Sequence, residues 1–156
     1  MGRQEISWER SWPRPVTSEE RGRILGYFEA RFGIPQETFS GYLLLSTAKN
    51  YWLLRDTGRT EEIKHLKVQT VGLLFARQVS KYIKPTTIAL QRFGHLATRA
   101  IVDLSPQELE ALKSQRKISR AVSVEPGYVI LRCGEDIWGC GLYLPPHLIS
   151  HLPGVS

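Results

Sequence analysis

Two short motifs constrain this chain more than any other feature, because each one fixes where a helix begins. In Thr17-Ser18-Glu19-Glu20 and in Ser105-Pro106-Gln107-Glu108, a hydroxyl residue stands three positions before a glutamate. The hydroxyl accepts from the third amide of a nascent helix and the carboxylate accepts from the cap's own amide, so two otherwise unpaired donors are satisfied together. After the first motif, Ile24, Leu25, Phe28 and Phe32 recur at helical spacing and Gly33 follows, which predicts a helix over 18–32. After the second, Pro106 suits a first helical position, and Leu109 and Leu112 supply the apolar stripe.

The rest of the chain consists of short apolar runs divided by turn residues. Pro35 starts a short turn towards Phe39, and the runs 42–45 and 51–54 flank Thr47-Ala48-Lys49-Asn50, which is hairpin chemistry. The polar stretch 57–66 predicts a loop or one helical turn, and 68–80 a strand bent at Gly72. Pro85 is expected as the first residue of a short helix closed by Gly94, and 100–102 as a brief strand. Lys113, Arg116, Lys117 and Arg120 read as a solvated helix end or connecting loop.

Glu125-Pro126-Gly127 has the residue order of a type II turn, and strands are expected over 128–131 and 137–144 around Gly134-Glu135-Asp136. Pro145-Pro146 should stop the second strand, with one helical turn over 147–152. Gly139 and Gly141 lie two apart in that strand, which bares one face of the pleat for close approach by a backbone or a ligand. Capped helices with antiparallel pairs make an α/β chain of the α+β kind. Residues 1–16, with Trp8, Trp12, Pro13 and Pro15, read as an irregular arm with aromatic anchors packing on the domain. Residues 17–114 and 115–156 form two parts that can share one continuous domain.

With 156 residues, 42% of them hydrophobic, the chain can bury a core without disulfides or metal. Cys133 and Cys140 are too few for a disulfide scaffold. No run approaches the length of about 18 apolar residues that spans a bilayer, and no secretory signal opens the sequence, so a cytoplasmic protein without membrane attachment is expected.

The charge, +6 overall, is unevenly placed. Basic and acidic residues cancel over 1–62 and nearly cancel after 102, whereas 63–102 holds Lys64, Lys67, Arg77, Lys81, Lys84, Arg92 and Arg99 with no Asp or Glu. Such a block points either to a phosphate-binding surface or to a solvated face neutralised by carboxylates from elsewhere in the fold. Arg77, Lys81 and Lys84 fall on one expected strand and its exit loop, where alternation places Arg77 and Lys81 on one face. Tyr82 between them either packs or stacks on an unpaired base. Thr86 and Thr87 at the following helix start could add amides to a phosphate site, and Arg92 and Arg99 could extend the surface. Lys113, Arg116 and Lys117 form a second candidate contact.

Catalytic chemistry finds no constellation. Cys133, Cys140, His147 and His151 lack the close cysteine pair of a zinc finger, so buried thiols and surface histidines are expected and no metal or cofactor is assigned. No serine sits in a nucleophile elbow, and Glu19-Glu20, Glu61-Glu62 and Glu135-Asp136 read as solvated charge.

The order of pieces from Arg77-Gln78-Val79 through Lys84-Pro85-Thr86-Thr87-Ile88-Ala89-Leu90, Val102-Asp103-Leu104-Ser105, Gly127-Tyr128-Val129-Ile130 and Trp138-Gly139-Cys140-Gly141 resembles a known RNA-binding region. It is similar to the C-terminal PUA-like part of the Sun/Fmu 5-methylcytosine RNA methyltransferases, and to pre-PUA plus PUA ribosome-biogenesis factors, over about residues 32–153. Ile149 and Ser150 replace the Lys and Asn of the family's closing tail. The resemblance implies a pre-PUA-like helix and antiparallel sheet followed by a PUA-like β-rich part, without the catalytic methyltransferase domain. It further implies binding to ribosomal or transfer RNA alongside an RNA-modifying enzyme or ribosome-assembly factor. Two other readings remain: a protein-interaction module docking through the glycine-bearing face and Trp138, and a detached methyltransferase C-terminus.

Overall fold

The computed structural model describes residues 13–58 and 72–153. Both capping boxes form. Thr17 accepts from the Glu20 amide and starts α1 (Ser18–Phe32), and Ser105 accepts from the Glu108 amide and starts α3 (Pro106–Gln115). Gly33 ends α1 at φ 73°, a left-handed value that glycine adopts without strain. A 3-10 turn over Gln36–Phe39 follows.

The strands build two sheets. In the first, β1 (Arg14–Pro15), β2 (Tyr42–Thr47), β3 (Asn50–Arg55), β4 (Leu73–Val79) and β5 (Tyr82–Pro85) lie side by side in chain order, all antiparallel. A short helix α2 (Thr87–Phe93) and a 3-10 turn lead to the second sheet, ordered β6-β8-β9-β10-β7. Its members are β6 (Ile101–Asp103), β7 (Lys117–Ser119), β8 (Gly127–Cys133), β9 (Asp136–Leu144) and β10 (His147–Ser150). Only β6 against β8 is parallel among these pairs. The α+β class expected from the caps and hairpins is what the chain adopts. The second sheet starts at Ile101, so β6 and α3 stand with the C-terminal strands.

One hydrophobic core joins the two sheets, running from Ile24, Phe28 and Phe75 to Val129, Ile130 and Leu148. The Phe28 ring stacks on Phe75 with centroids 4.4 Å apart, and Phe39 meets Phe75 edge-on at 5.1 Å. Tyr51 pairs with Ala76 and Trp52 with Leu74, leaving Phe75 as an extra residue in β4. This bulge lets both Phe75 and Ala76 be fully buried, which strict alternation would forbid.

Several local expectations are corrected. Pro85 is not the first residue of the helix but the last of β5, paired with Ala76 on an edge strand where its missing N–H costs nothing. Thr86 takes the cap, accepting from the Ala89 amide at 3.1 Å. Residues 147–150 form β10 rather than a helical turn, with Leu148 and Ser150 buried and His147 and Ile149 half-buried, because the free edge of β9 pairs with them. Lys117 lies in strand β7, not in a loop: Arg116 turns the chain at φ 67° and the next residues pair with β10. Gly127 has φ 138°, far from the value of about 80° that a type II turn needs. It opens β8 instead. The arm's Trp8 and Trp12, the 57–66 stretch beyond residue 58, and the predicted strand before Gly72 lie outside the described residues.

Candidate nucleic-acid interface

The β4–β5 hairpin carries the first part of the interface. Val79 pairs with Tyr82 and Arg77 with Lys84, so these four side chains share one face of the hairpin. Arg77 and Val79 are exposed, and the Tyr82 side chain is 58% exposed, which removes packing as its role. Ser80 and Lys81 make the turn, with Ser80 at φ 55° and the Gln78 side-chain amide donating to the Ser80 carbonyl at 2.8 Å. Lys81 is therefore not Arg77's partner on a strand face. The two-residue turn breaks the alternation, and Lys84 holds that place. The Lys81 ammonium instead sits 5.5 Å from the Tyr82 ring centroid.

The hairpin tip forms one wall of a groove of about 630 Å³. Its floor is the face of α1 bearing Arg23, Tyr27 and Arg31, and its far wall is Pro126, Gly127 and Tyr128 with Leu142 and Leu144 of β9. Arg23 donates to Gln78 Oε1 and to the Tyr51 hydroxyl, both at 3.3 Å, which couples helix and hairpin. Arg31 donates through Nε to the Tyr128 carbonyl at 2.7 Å and through Nη2 to the Glu125 carbonyl at 2.8 Å. Partial burial lowers the Arg31 pKa from its ordinary value, and burial raises that of the Tyr27 phenol. Three tyrosines and three cations thus converge on one groove, an arrangement able to stack flat rings and hold their anionic linkers.

Acids cancel bases over 1–62, which hides these α1 residues from a reading of net charge. The signal was the four-residue spacing Arg23, Tyr27, Arg31, which lines one helical face.

The basic block does not converge as a whole. Arg77, Lys81 and Lys84 share the hairpin. Arg92 lines a separate cavity of about 290 Å³ with Tyr42, Arg55 and Ile88. Arg99 donates to the Glu29 carbonyl at the end of α1 at 2.9 Å. None of these five forms an ion pair among the described residues, where the pairs are Arg14–Glu20, Lys113–Glu110, Arg120–Glu108 and Arg132–Asp103. Lys64 and Lys67 lie outside the described residues.

The Thr86 amide donates to the Phe75 carbonyl at 3.2 Å, and both threonine hydroxyls are engaged within the fold. The Thr86 hydroxyl donates to the Leu74 carbonyl at 2.6 Å, and the Thr87 hydroxyl accepts from the Cys140 amide at 3.2 Å. The second basic candidate is dispersed as well. Lys113 lies 4.2 Å over the Trp138 ring and pairs with Glu110, Arg116 donates to the Leu152 carbonyl, and Lys117 is exposed on edge strand β7. The glycine-bearing strand admits the chain's own side chains rather than a ligand: a Cβ on Gly139 would lie 2.5 Å from Thr87, and one on Gly141 would lie 2.8 Å from Leu131.

No three histidine, cysteine or acidic side chains gather as a metal site among the described residues. Burial pushes the Cys140 thiol up to about 12, consistent with an inert core sulfur. His147 and His151 are half-buried rather than surface residues, and His147 Nδ1 is buried without a partner. No described helix is long and apolar enough to cross a membrane.

No family model matches this chain, and no curated protein matches it. Among solved structures, the fold is similar to the crystal structure of hypothetical protein PH0734.1 from the hyperthermophilic archaeon Pyrococcus horikoshii OT3. The TM-score is 0.56 at 10% identity, over 85% of this chain and 81% of that one, a likeness of fold alone.

Proposed function

We propose that this protein is a non-catalytic, cytosolic RNA-binding module that grips ribosomal or transfer RNA and positions it for a separate modifying enzyme or assembly factor. The observation that carries the reading is the hairpin face of Arg77, Lys84 and exposed Tyr82, with Lys81 at its tip beside the tyrosine-lined groove. Adjacent cations with no carboxylate partner among the described residues repel one another, and phosphate relieves that repulsion. The sequence resemblance to PUA-like regions supports the same reading. Backbone contacts would supply most of the affinity.

The test is a salt titration of binding to a transfer RNA or a ribosomal RNA helix. Affinity should fall steeply with ionic strength, with a slope of about 0.7 to 0.9 per phosphate contact. Replacing Arg77, Lys81 and Lys84 together with Ala should weaken binding and flatten that slope while leaving the circular dichroism unchanged. Absent or salt-insensitive binding would overturn the reading in favour of a protein partner.

A further inference from the structure

The groove does not end at Arg31. A second cavity of about 620 Å³ lies beyond it, lined by Ala30, Arg31, Arg99, Ser123, Glu125 and Arg132 among others. The two cavities share a floor and a wall. Helix α1 contributes Tyr27 and Arg31 to the first and Ala30 and Arg31 to the second, while the segment 123–128 runs along both. Arg31 lines both, its guanidinium bridging from α1 to the carbonyls of Glu125 and Tyr128. It is a strut across one trough.

The chemistry changes along that trough. The first cavity is tyrosine-lined, with Tyr27, Tyr82 and Tyr128. The second is polar, with Arg99, Thr98 and Ser123, and with Arg132 alongside the acidic Asp103 and Glu125. Arg132 is neutralised by Asp103, which accepts from it through two hydrogen bonds of 2.6 and 3.0 Å, whereas Arg99, held by the Glu29 carbonyl, has no carboxylate partner among the described residues. A row running from stacking platform to the Arg31 strut to the Arg99 guanidinium matches a strand whose bases are unpaired and whose phosphates follow one another. A duplex keeps its bases stacked inside and cannot offer a ring to Tyr82.

Resting on the RNA-binding reading above, we infer that the trough takes a single-stranded RNA segment, which threads past Arg31 so that one end stacks on the tyrosines and the next phosphate reaches Arg99.

The experiment uses the full chain with oligouridylates of increasing length, a blunt duplex, and a transfer RNA. Affinity should rise with length and level off at about four nucleotides or more, the lower end of known single-strand site sizes. Ser123→Glu puts a negative charge in the second cavity, and no hydrogen bond of the Ser123 side chain is found among the described residues. It should lower affinity for the longer oligouridylates and not for the dinucleotide. Tyr82→Leu should lower affinity for all of them by about tenfold. Arg99→Gln, measured well below its thermal midpoint with its circular dichroism unchanged, should act like Ser123→Glu. A duplex that binds as tightly as the oligouridylates, or a length dependence untouched by Ser123→Glu and Arg99→Gln, would overturn the threading while transfer RNA binding kept the broader reading intact. Loss of binding to every RNA would overturn both.

Discussion

Arg77 and Lys84 sit directly opposite each other across β4 and β5, two cations in register with no acidic residue paired to either among the described residues. A like-charge pair in this position weakens the hairpin, and opposite-charge or neutral pairs are better by roughly 0.2–1 kcal/mol. On the proposed RNA-binding reading, phosphate offsets that cost.

Lys84→Gln should therefore separate stability from binding. Urea denaturation should show a protein unchanged or more stable by up to about 1 kcal/mol. RNA affinity should fall in the same variant, with the salt slope smaller by about 0.7 to 0.9. A variant that lost stability and kept its affinity would show that the cation serves the fold.

Arg31→Met should destabilise by about 1.5–3 kcal/mol, because it removes two charge-assisted hydrogen bonds that tie α1 to the start of β8. Denaturant midpoints measure this directly. The loss should exceed that from Arg99→Gln, which removes a single bond to the Glu29 carbonyl.

Gly139→Ala should be costly for two reasons. Its φ of 148° disfavours a side chain, and the added Cβ would meet Thr87 at 2.5 Å and Leu152 at 2.8 Å. A loss of about 2–4 kcal/mol is expected from strain and overpacking together, read as a lower thermal midpoint. Gly22→Ala, where a Cβ meets nothing within 4 Å in the middle of α1, should instead be neutral or stabilising.

His151 gives the fold a pH dependence. Burial first, then the Lys84 and Arg116 charges, lower its pKa below the ordinary 6.5. The unfolded chain then takes up the proton before the folded one. Stability from this group is present above pH 6.5 and declines as pH falls through the lowered folded value. His151→Gln should flatten the stability profile below pH 6.5, and Lys84→Gln should move the His151 titration upward in an NMR measurement. A histidine titrating above 6.5 would contradict the burial.

Local chemistry was readable at the helix caps and the first hairpin, where one segment decides its own conformation, though not at Pro85 or Gly127. Thr17 with Glu20, Ser105 with Glu108, Gly33 after Phe32 and the hairpin around Ala48 all formed as the residues indicated. Elements whose identity depends on a neighbour were not. Residues 147–150 became a strand because β9 offered an unpaired edge, and Gly139 and Gly141 turned out to be covered by the chain's own Thr87 and Leu131.

The candidate site divides the same way. Arg77, Lys81, Tyr82 and Lys84 are close in sequence, and a hairpin keeps such residues close in space, so that part could be found by reading along the chain. Arg23, Tyr27 and Arg31 stand about fifty residues earlier, and the 123–128 segment about forty later. Local propensity and capping act over a few residues and are written in the order of the chain, whereas a groove is made by packing distant elements onto one core. Here α1 settles against both sheets through Phe28 and Phe32, and that burial brings its outer face beside Tyr82 and Tyr128.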